Sequence, residues 1–112
     1  MKNTEAIKEN YLFRALYRRG RQTSCKTMAV YVNRNRQKTV NRLGLTVSTK
    51  LGCAVVRNRI RRRLREAYRM LEPEIQTGID VVITARFGCE KAPFNTLVQD
   101  MRDAFARLGV VR

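Results

Sequence analysis

The sequence predicts an α+β fold: a small sheet packed with helices, in a single domain spanning residues 1–112. Three observations carry this. Apolar residues recur at helical spacing in three segments. Three other segments are short and rich in β-formers. And 44 % of the 112 residues are apolar, so a chain of this length buries a core without a disulfide or a structural metal.

In chain order, Lys8 to Arg19 (KENYLFRALYRR) places Tyr11, Leu12, Ala15 and Leu16 at helical spacing, and Gly20 supplies a stop. Cys25 to Asn33 (CKTMAVYVN) alternates and reads as a strand. RNRQKTVN is a polar connection to a second strand, Arg42 to Ser48, and the two are expected to form a hairpin. A long helix follows from about Ala54 to Leu71. In it Val56, Ile60, Leu64, Ala67 and Leu71 make one apolar stripe. Pro73 and Gly78 punctuate its exit. Ile79 to Arg86 (IDVVITAR) is a near-continuous apolar run, as in a covered strand. CEKAPF reads as a loop, and Phe94 to Leu108 as a last helix with Leu97, Met101, Ala104, Phe105 and Leu108 on one side. The order is α-β-β-α-β-α.

The chain carries 24 Lys and Arg against 9 Asp and Glu, a net +15. Such a balance speaks about partners rather than fold. Nucleic acid is the first partner class and an anionic membrane the second. The polar start MKNTEAIKENYLF has no signal peptide, no apolar run spans a bilayer, and no bulky amphipathic membrane helix or lipidation signal appears. The chain reads as cytoplasmic, with no membrane partner. Cys25, Cys53 and Cys89 are odd in number and far apart, without a C-x-x-C pair. They form neither a disulfide framework nor a zinc site and read as small apolar residues. Histidine is absent, which removes the commonest general base and metal ligand.

The charge concentrates in CAVVRNRIRRRLREAYR, Cys53 to Arg69, with seven arginines and one acid in seventeen residues. At 100° per residue, Asn58, Arg61, Arg62, Arg65 and Arg69 fall opposite the apolar stripe, within an arc of roughly 100°. Arg57 sits on one shoulder, Arg59 and Arg63 on the other, nearer the core. Arginine presents a planar fork that matches phosphate oxygens two at a time. Arg57, Arg61 and Arg65 are like charges four apart, a cost in isolation that a bound polyanion removes. A merely solvated face would alternate its signs. No helix-turn-helix, zinc-finger or zipper pattern points to duplex DNA. The aromatics Phe13, Tyr17 and Tyr31, on the first helix and first strand, suit single-stranded nucleic acid, whose bases stack on them. Core packing is the competing role for these rings, Phe13 above all.

The segment STKLGCAVVRNRIRRRLREAYR, Ser48 to Arg69, resembles the signature of the bacterial ribonuclease P protein family. Lys50, Gly52, Ala54, Val55, Arg57, Asn58, Arg59, Arg61, Arg62, Arg65 and Glu66 all fit it. Phe13 and Tyr17 followed by Gly20 are similar to the family's first helix and its stop, and RLGLTVS and IDVVITAR to the strands flanking the motif. STKLG keeps only Lys50 of the two or three basic residues common before the motif glycine, and Leu12 stands where an acid commonly precedes the phenylalanine.

The resemblance implies a mixed four-stranded sheet in α-β-β-α-β order, with a left-handed β-α-β crossover, like the second domain of ribosomal protein S5. It implies the protein subunit of a ribozyme endonuclease that removes the 5′ leader of precursor tRNA. The catalytic groups lie in the RNA subunit, and Mg2+ is held by RNA and substrate rather than by the protein. Lys50, Arg57, Asn58, Arg59, Arg61, Arg62 and Arg65 would face the catalytic RNA, with one protein per RNA. Phe13, Tyr17 and Tyr31, with Arg86 at the edge, would form the leader cleft. The protein itself would contribute no catalytic residue and no metal site.

Two other classes compete. A self-sufficient nuclease would hold metal ions with clustered carboxylates, but the acids are scattered, and Glu72 and Glu74 flank Pro73 in a loop exit. An RNA-binding or ribosome-associated protein without a role in cleavage has the same composition. Only the motif and a cleavage assay separate it from the first reading.

Overall fold

The computed structural model describes residues 3–37 and 39–112. Met1, Lys2 and Lys38, the last in the polar connection, lie outside the described residues. The elements are β1 (Thr4–Ala6), α1 (Asn10–Arg19), β2 (Arg21–Ser24), β3 (Met28–Arg34), β4 (Asn41–Thr46), α2 (Ala54–Leu71), β5 (Ile79–Ala85) and α3 (Phe94–Arg107), with short 3-10 turns at Thr49–Leu51, Glu72–Glu74 and Phe87–Cys89.

Among the described residues the strands form one sheet in the order β1-β4-β5-β3-β2. It has five strands, not the three read from pattern or the four implied by resemblance. The two additions are edge strands without an apolar signature. β1 is three residues long and β2 reads RQTS; their backbones complete the ladder while their side chains stay polar, as edges tend to be. The expected hairpin between the strands at 25–33 and 42–48 does not form. β5 lies between them, antiparallel to β3 with Tyr31 opposite Val82, and parallel to β4 with Gly44 opposite Val82. The hairpin partner of β3 is β2. Parallel β4 and β5 are joined through α2, the helical crossover that a parallel pair requires. Cys25 and Thr27, expected in the strand, shape the turn into it, where the Cys25 N–H donates to the Met28 carbonyl at 2.9 Å.

Strand alternation divides the sheet into two faces. Val30, Val32, Val81 and Ile83 point to one side and pack with Ile60, Leu64, Ala67 and Tyr68 of α2 and Leu97, Met101 and Phe105 of α3. The opposite parity, Tyr31 and Val82, meets Ile7 and the inner face of α1, Leu12, Phe13 and Leu16. The molecule is therefore layered α1, sheet, α2 with α3. Two polar anchors tie the elements together. Arg42 on β4 grips Asp80 on β5 through two parallel bonds, Nε to Oδ1 at 2.7 Å and Nη2 to Oδ2 at 2.8 Å, and Asn35 donates to the same carboxylate at 3.0 Å. On the other face, the Thr4 hydroxyl of β1 meets the Tyr68 hydroxyl at 2.9 Å and donates to Glu72. Burial pushes the Tyr68 hydroxyl above its ordinary pKa.

Candidate nucleic-acid interface

The arginine helix occupies 54–71, the span expected, and its approach is set by Gly52. This residue has φ +141°, a backbone conformation that favours glycine, and a Cβ there would stand 2.9 Å from Val56. The motif glycine thus lets the turn at Thr49–Leu51 fold tightly into α2. The Ser48 hydroxyl accepts from the Lys50 N–H at 3.2 Å, and the Lys50 side chain is left in solvent. Cys53, the N-cap, is exposed. Backbone N–H groups of Val56 and Val55 at the open helix start hold its thiol below the ordinary range.

Ile60, Leu64, Ala67, Tyr68 and Leu71 are the buried residues of α2. Asn58, Arg59, Arg62 and Arg65 are exposed, while Arg57 and Arg61 are half-buried. Arg57 Nε donates to the Gly52 carbonyl at 3.2 Å, and Arg61 Nη1 to Asn58 Oδ1 at 3.0 Å. Two arginines of the helix have other duties. Arg63 donates to the carbonyls of Cys89, Glu90 and Ala92 and fastens α2 to the loop before α3. Arg69, placed by spacing on the outer arc, is paired with Glu66, whose carboxyl that contact lowers. What remains is a face of Arg57, Asn58, Arg59, Arg61, Arg62 and Arg65 whose guanidinium groups meet no carboxylate among the described residues.

The aromatic wall lies on the other sheet face. Tyr17 of α1 and Tyr31 of β3 meet edge to face, with ring centroids 4.8 Å apart and planes at 86°. The Tyr17 hydroxyl is held rather than free. It reaches Thr46 at 3.0 Å and Thr84 at 3.4 Å, so the ring is pinned across β4 and β5 while 41 % of the residue stays exposed. Phe13 is half-buried against the Ile7, Leu16 and Val82 cluster. Its ring lies over Gly44, where a Cβ would come within 2.5 Å of Phe13 Cε1. Sequence reasoning left Gly44 unassigned, although a glycine inside RLGLT marks a close approach in a strand.

Past Leu43, where β1 stops pairing, the edge of β4 opens into a hollow of about 210 Å³. Glu5, Phe13, Gly44, Leu45, Arg61 and Arg65 are among the residues that line it. The hollow joins the aromatic side to the arginine helix around the sheet edge. Arg86 is not among its residues. It is exposed, donates to the Cys25 carbonyl at 3.0 Å, and shares a separate hollow with Lys50 and Phe87 at the far ends of β4 and β5. Phe87, 74 % exposed, is a further ring beside two cations that periodicity could not single out.

Most of the acids do other work. Asp80 holds Arg42, Glu66 holds Arg69, Glu74 holds Arg102, Asp100 accepts from Thr27 at 2.7 Å, and Asp103 accepts from Gln99 at 2.8 Å. Among the described residues no three of His, Cys, Asp and Glu stand together to hold a metal ion. Nor, among the described residues, is any helix long and apolar enough to cross a membrane.

The ribonuclease P family model matches residues 1–109. A relative from Symbiobacterium thermophilum named ribonuclease P protein component is 37 % identical over 112 residues, covering 100 % of this chain and 97 % of the relative. One from Thermoanaerobacter sp. with the same name is 41 % identical over 96 residues, covering 86 % and 82 %. The structure of the Staphylococcus aureus RNase P protein superposes with a TM-score of 0.84 at 28 % identity, over 96 % of this chain and 97 % of that one. The Thermotoga maritima RNase P protein shares the fold at a TM-score of 0.79 and 24 % identity, over 88 % and 93 %. Motif, fold and full-length relatives agree, and the chain belongs to the ribonuclease P protein family.

Proposed function

We propose that the chain is the protein subunit of a ribonuclease P ribonucleoprotein. It binds the catalytic RNA through Lys50, Arg57, Asn58, Arg59, Arg61, Arg62 and Arg65. It receives the 5′ leader of precursor tRNA between α1 and the sheet, against Phe13, Tyr17 and Tyr31, with Arg86 beyond them, and so assists endonucleolytic removal of the leader in the cytoplasm. The observation that carries this reading is the hollow at the β4 edge, where Phe13 and Arg61 with Arg65 line one space. A single strand can pass from stacking surface to phosphate-binding surface there without leaving the protein. Cleavage belongs to the RNA: most acids of the protein are engaged within the fold, and Mg2+ would be held by RNA and substrate. One protein serves one RNA.

The test is reconstitution. Purified protein free of RNA leaves precursor tRNA uncut in magnesium. Adding it to the cognate catalytic RNA at low magnesium restores cleavage at the mature 5′ end. Nuclease-insensitive cleavage by the protein alone, or no effect of the protein on the RNA's cleavage, would overturn the proposal.

A further inference from the structure

Seven arginines against one acid give α2 a net +6, so +9 of the chain's +15 lies outside it. Part of this excess is concentrated on α1, which reads NYLFRALYRR and contains no acid. At 100° per residue, Leu12, Phe13, Leu16 and Tyr17 face the sheet. Tyr11, Arg14, Ala15, Arg18 and Arg19 share the outer face, within an arc of roughly 140°. Those five residues line one shallow hollow of about 300 Å³, and Tyr11 is 58 % exposed.

Elsewhere in the molecule, arginines that serve the fold are held. Arg42 meets Asp80, Arg63 meets three carbonyls, Arg21 donates to the Leu108 carbonyl at 2.6 Å, and Arg112 to that of Ile75 at 3.1 Å. Arg14, Arg18 and Arg19 have no hydrogen-bond or ion-pair partner among the described residues. Cations in a last helical turn complement the helix dipole, which accounts for Arg18 and Arg19. It accounts neither for Arg14, one turn earlier, nor for the absence of a compensating acid. Glu9, the nearest one, lines a different hollow with Glu5 and Arg42. Arg14 and Arg18 are like charges four apart, about 6 Å along the axis, an arrangement that disfavours an isolated helix.

We propose that the outer face of α1 is a second phosphate-binding surface that takes the backbone of an RNA duplex. The protein then holds two RNA segments on opposite sides of its sheet, one on α1 and one on α2. This rests on the reading above only in taking RNA as the partner. The chemistry favours a duplex. The hollow is shallow and edged with guanidinium forks, and Tyr11 offers a hydroxyl for a phosphate or a 2′-OH. Tyr11 is the one ring in the hollow, with no second aromatic there to enclose an unstacked base, and A-form RNA is read by shape and by phosphate and 2′-OH contacts.

The probe is a blunt RNA duplex of roughly one helical turn, which has no unpaired base to enter the aromatic cleft. Its stoichiometry with the free protein is measured by sedimentation. The wild-type chain is expected to bind two duplexes, and the Arg14→Ala/Arg18→Ala/Arg19→Ala variant one. The site lost in that variant should show log affinity falling with log salt at a slope of about −2 to −3, for three phosphates released. A wild type that saturates at one duplex, or a triple variant that still takes two, overturns the proposal. So does a triple variant that keeps both duplexes but releases anionic phospholipid vesicles, which would assign the face to a membrane. The Arg61→Ala/Arg65→Ala variant is run alongside. If it too keeps two duplexes, the α2 reading fails and the α1 count stands on its own. All substituted side chains are exposed or half-buried, and circular dichroism checks the fold.

Discussion

Gly44→Ala is the sharpest probe of the proposed leader cleft, because it adds one methyl group and touches one ring. The backbone at Gly44 does not have positive φ, so alanine is compatible with the strand, and the glycine is there for space. The new Cβ would stand 2.5 Å from Phe13 Cε1 and 2.7 Å from Cζ, with the Ile7 Cδ1 at 3.4 Å closing the other side. Ordinary contact begins near 3.4 Å, so the ring must retreat by about 1 Å, and the open direction is toward solvent. Overpacking costs about 1–3 kcal/mol, at the low end here because Phe13 is only half-buried. Removing a flexible glycine from the unfolded chain returns about 0.4–1 kcal/mol. Stability should therefore change little.

Binding should change more. A base stacked on an aromatic contributes about 1–3 kcal/mol, so precursor tRNA should bind the holoenzyme about 5- to 150-fold more weakly. Mature tRNA, without a leader, should bind as before. Equilibrium binding of both ligands is measured in wild type, Gly44→Ala, Phe13→Ala and the double variant. In the Phe13→Ala background the glycine substitution should be silent, since the two act through one ring. Equal losses for both ligands, or additive effects in the double variant, would refute the reasoning and return Phe13 to a packing role.

Three further outcomes follow from the same geometry. Arg61→Ala and Arg65→Ala should each lower the salt slope of catalytic-RNA binding by about 0.7–0.9; unchanged slopes would mean a merely solvated face. Cys53 should react with a thiol reagent at neutral pH before Cys25 or Cys89, because the α2 N–H groups favour its thiolate and it is exposed; mass-mapped labelling of Cys89 first would contradict this. Burial pushes the Cys89 thiol up to about 11 from an ordinary 9.0, so the folded state keeps a proton that the unfolded chain loses. That contribution is complete below pH 9 and lost as pH rises through 11, and Cys89→Ala should flatten the fall in denaturant midpoint across that window.

The fold was legible where burial leaves a period. α2 is legible because its stripe of Ile60, Leu64, Ala67 and Leu71 is dictated by the sheet it covers, and β5 because both its faces are covered, by α1 on one side and by α2 and α3 on the other. The edges were not legible. β1 and β2 are held by backbone bonds, and Thr4, Glu5, Arg21 and Gln22 carry no periodic mark of it. The order of strands was also hidden. Two neighbouring strand signals suggest a hairpin, and only the parallel crossover through α2 places β5 between β3 and β4. No local spacing encodes that choice, which depends on how the core closes.

The site divides along the same line. One-sided charge is a sequence property, since helical spacing alone sets Asn58, Arg62 and Arg65 on one arc. Which arginines are free is a tertiary property. Arg63 and Arg69 look like their neighbours in sequence, yet one is consumed by three carbonyls and the other by Glu66. The same holds for the aromatics. Phe13 and Tyr17 share a helix face by spacing, but what they rest on, Gly44 for one and Thr46 with Thr84 for the other, comes from strands far along the chain. A pinned ring would lose little freedom to an arriving base, so under the proposed function the threonines and the glycine preorganise a stacking surface that the aromatic residues alone would not make. The sequence motif thus names the surface proposed to meet phosphate, while the sheet beneath it determines which of its residues remain available to do so.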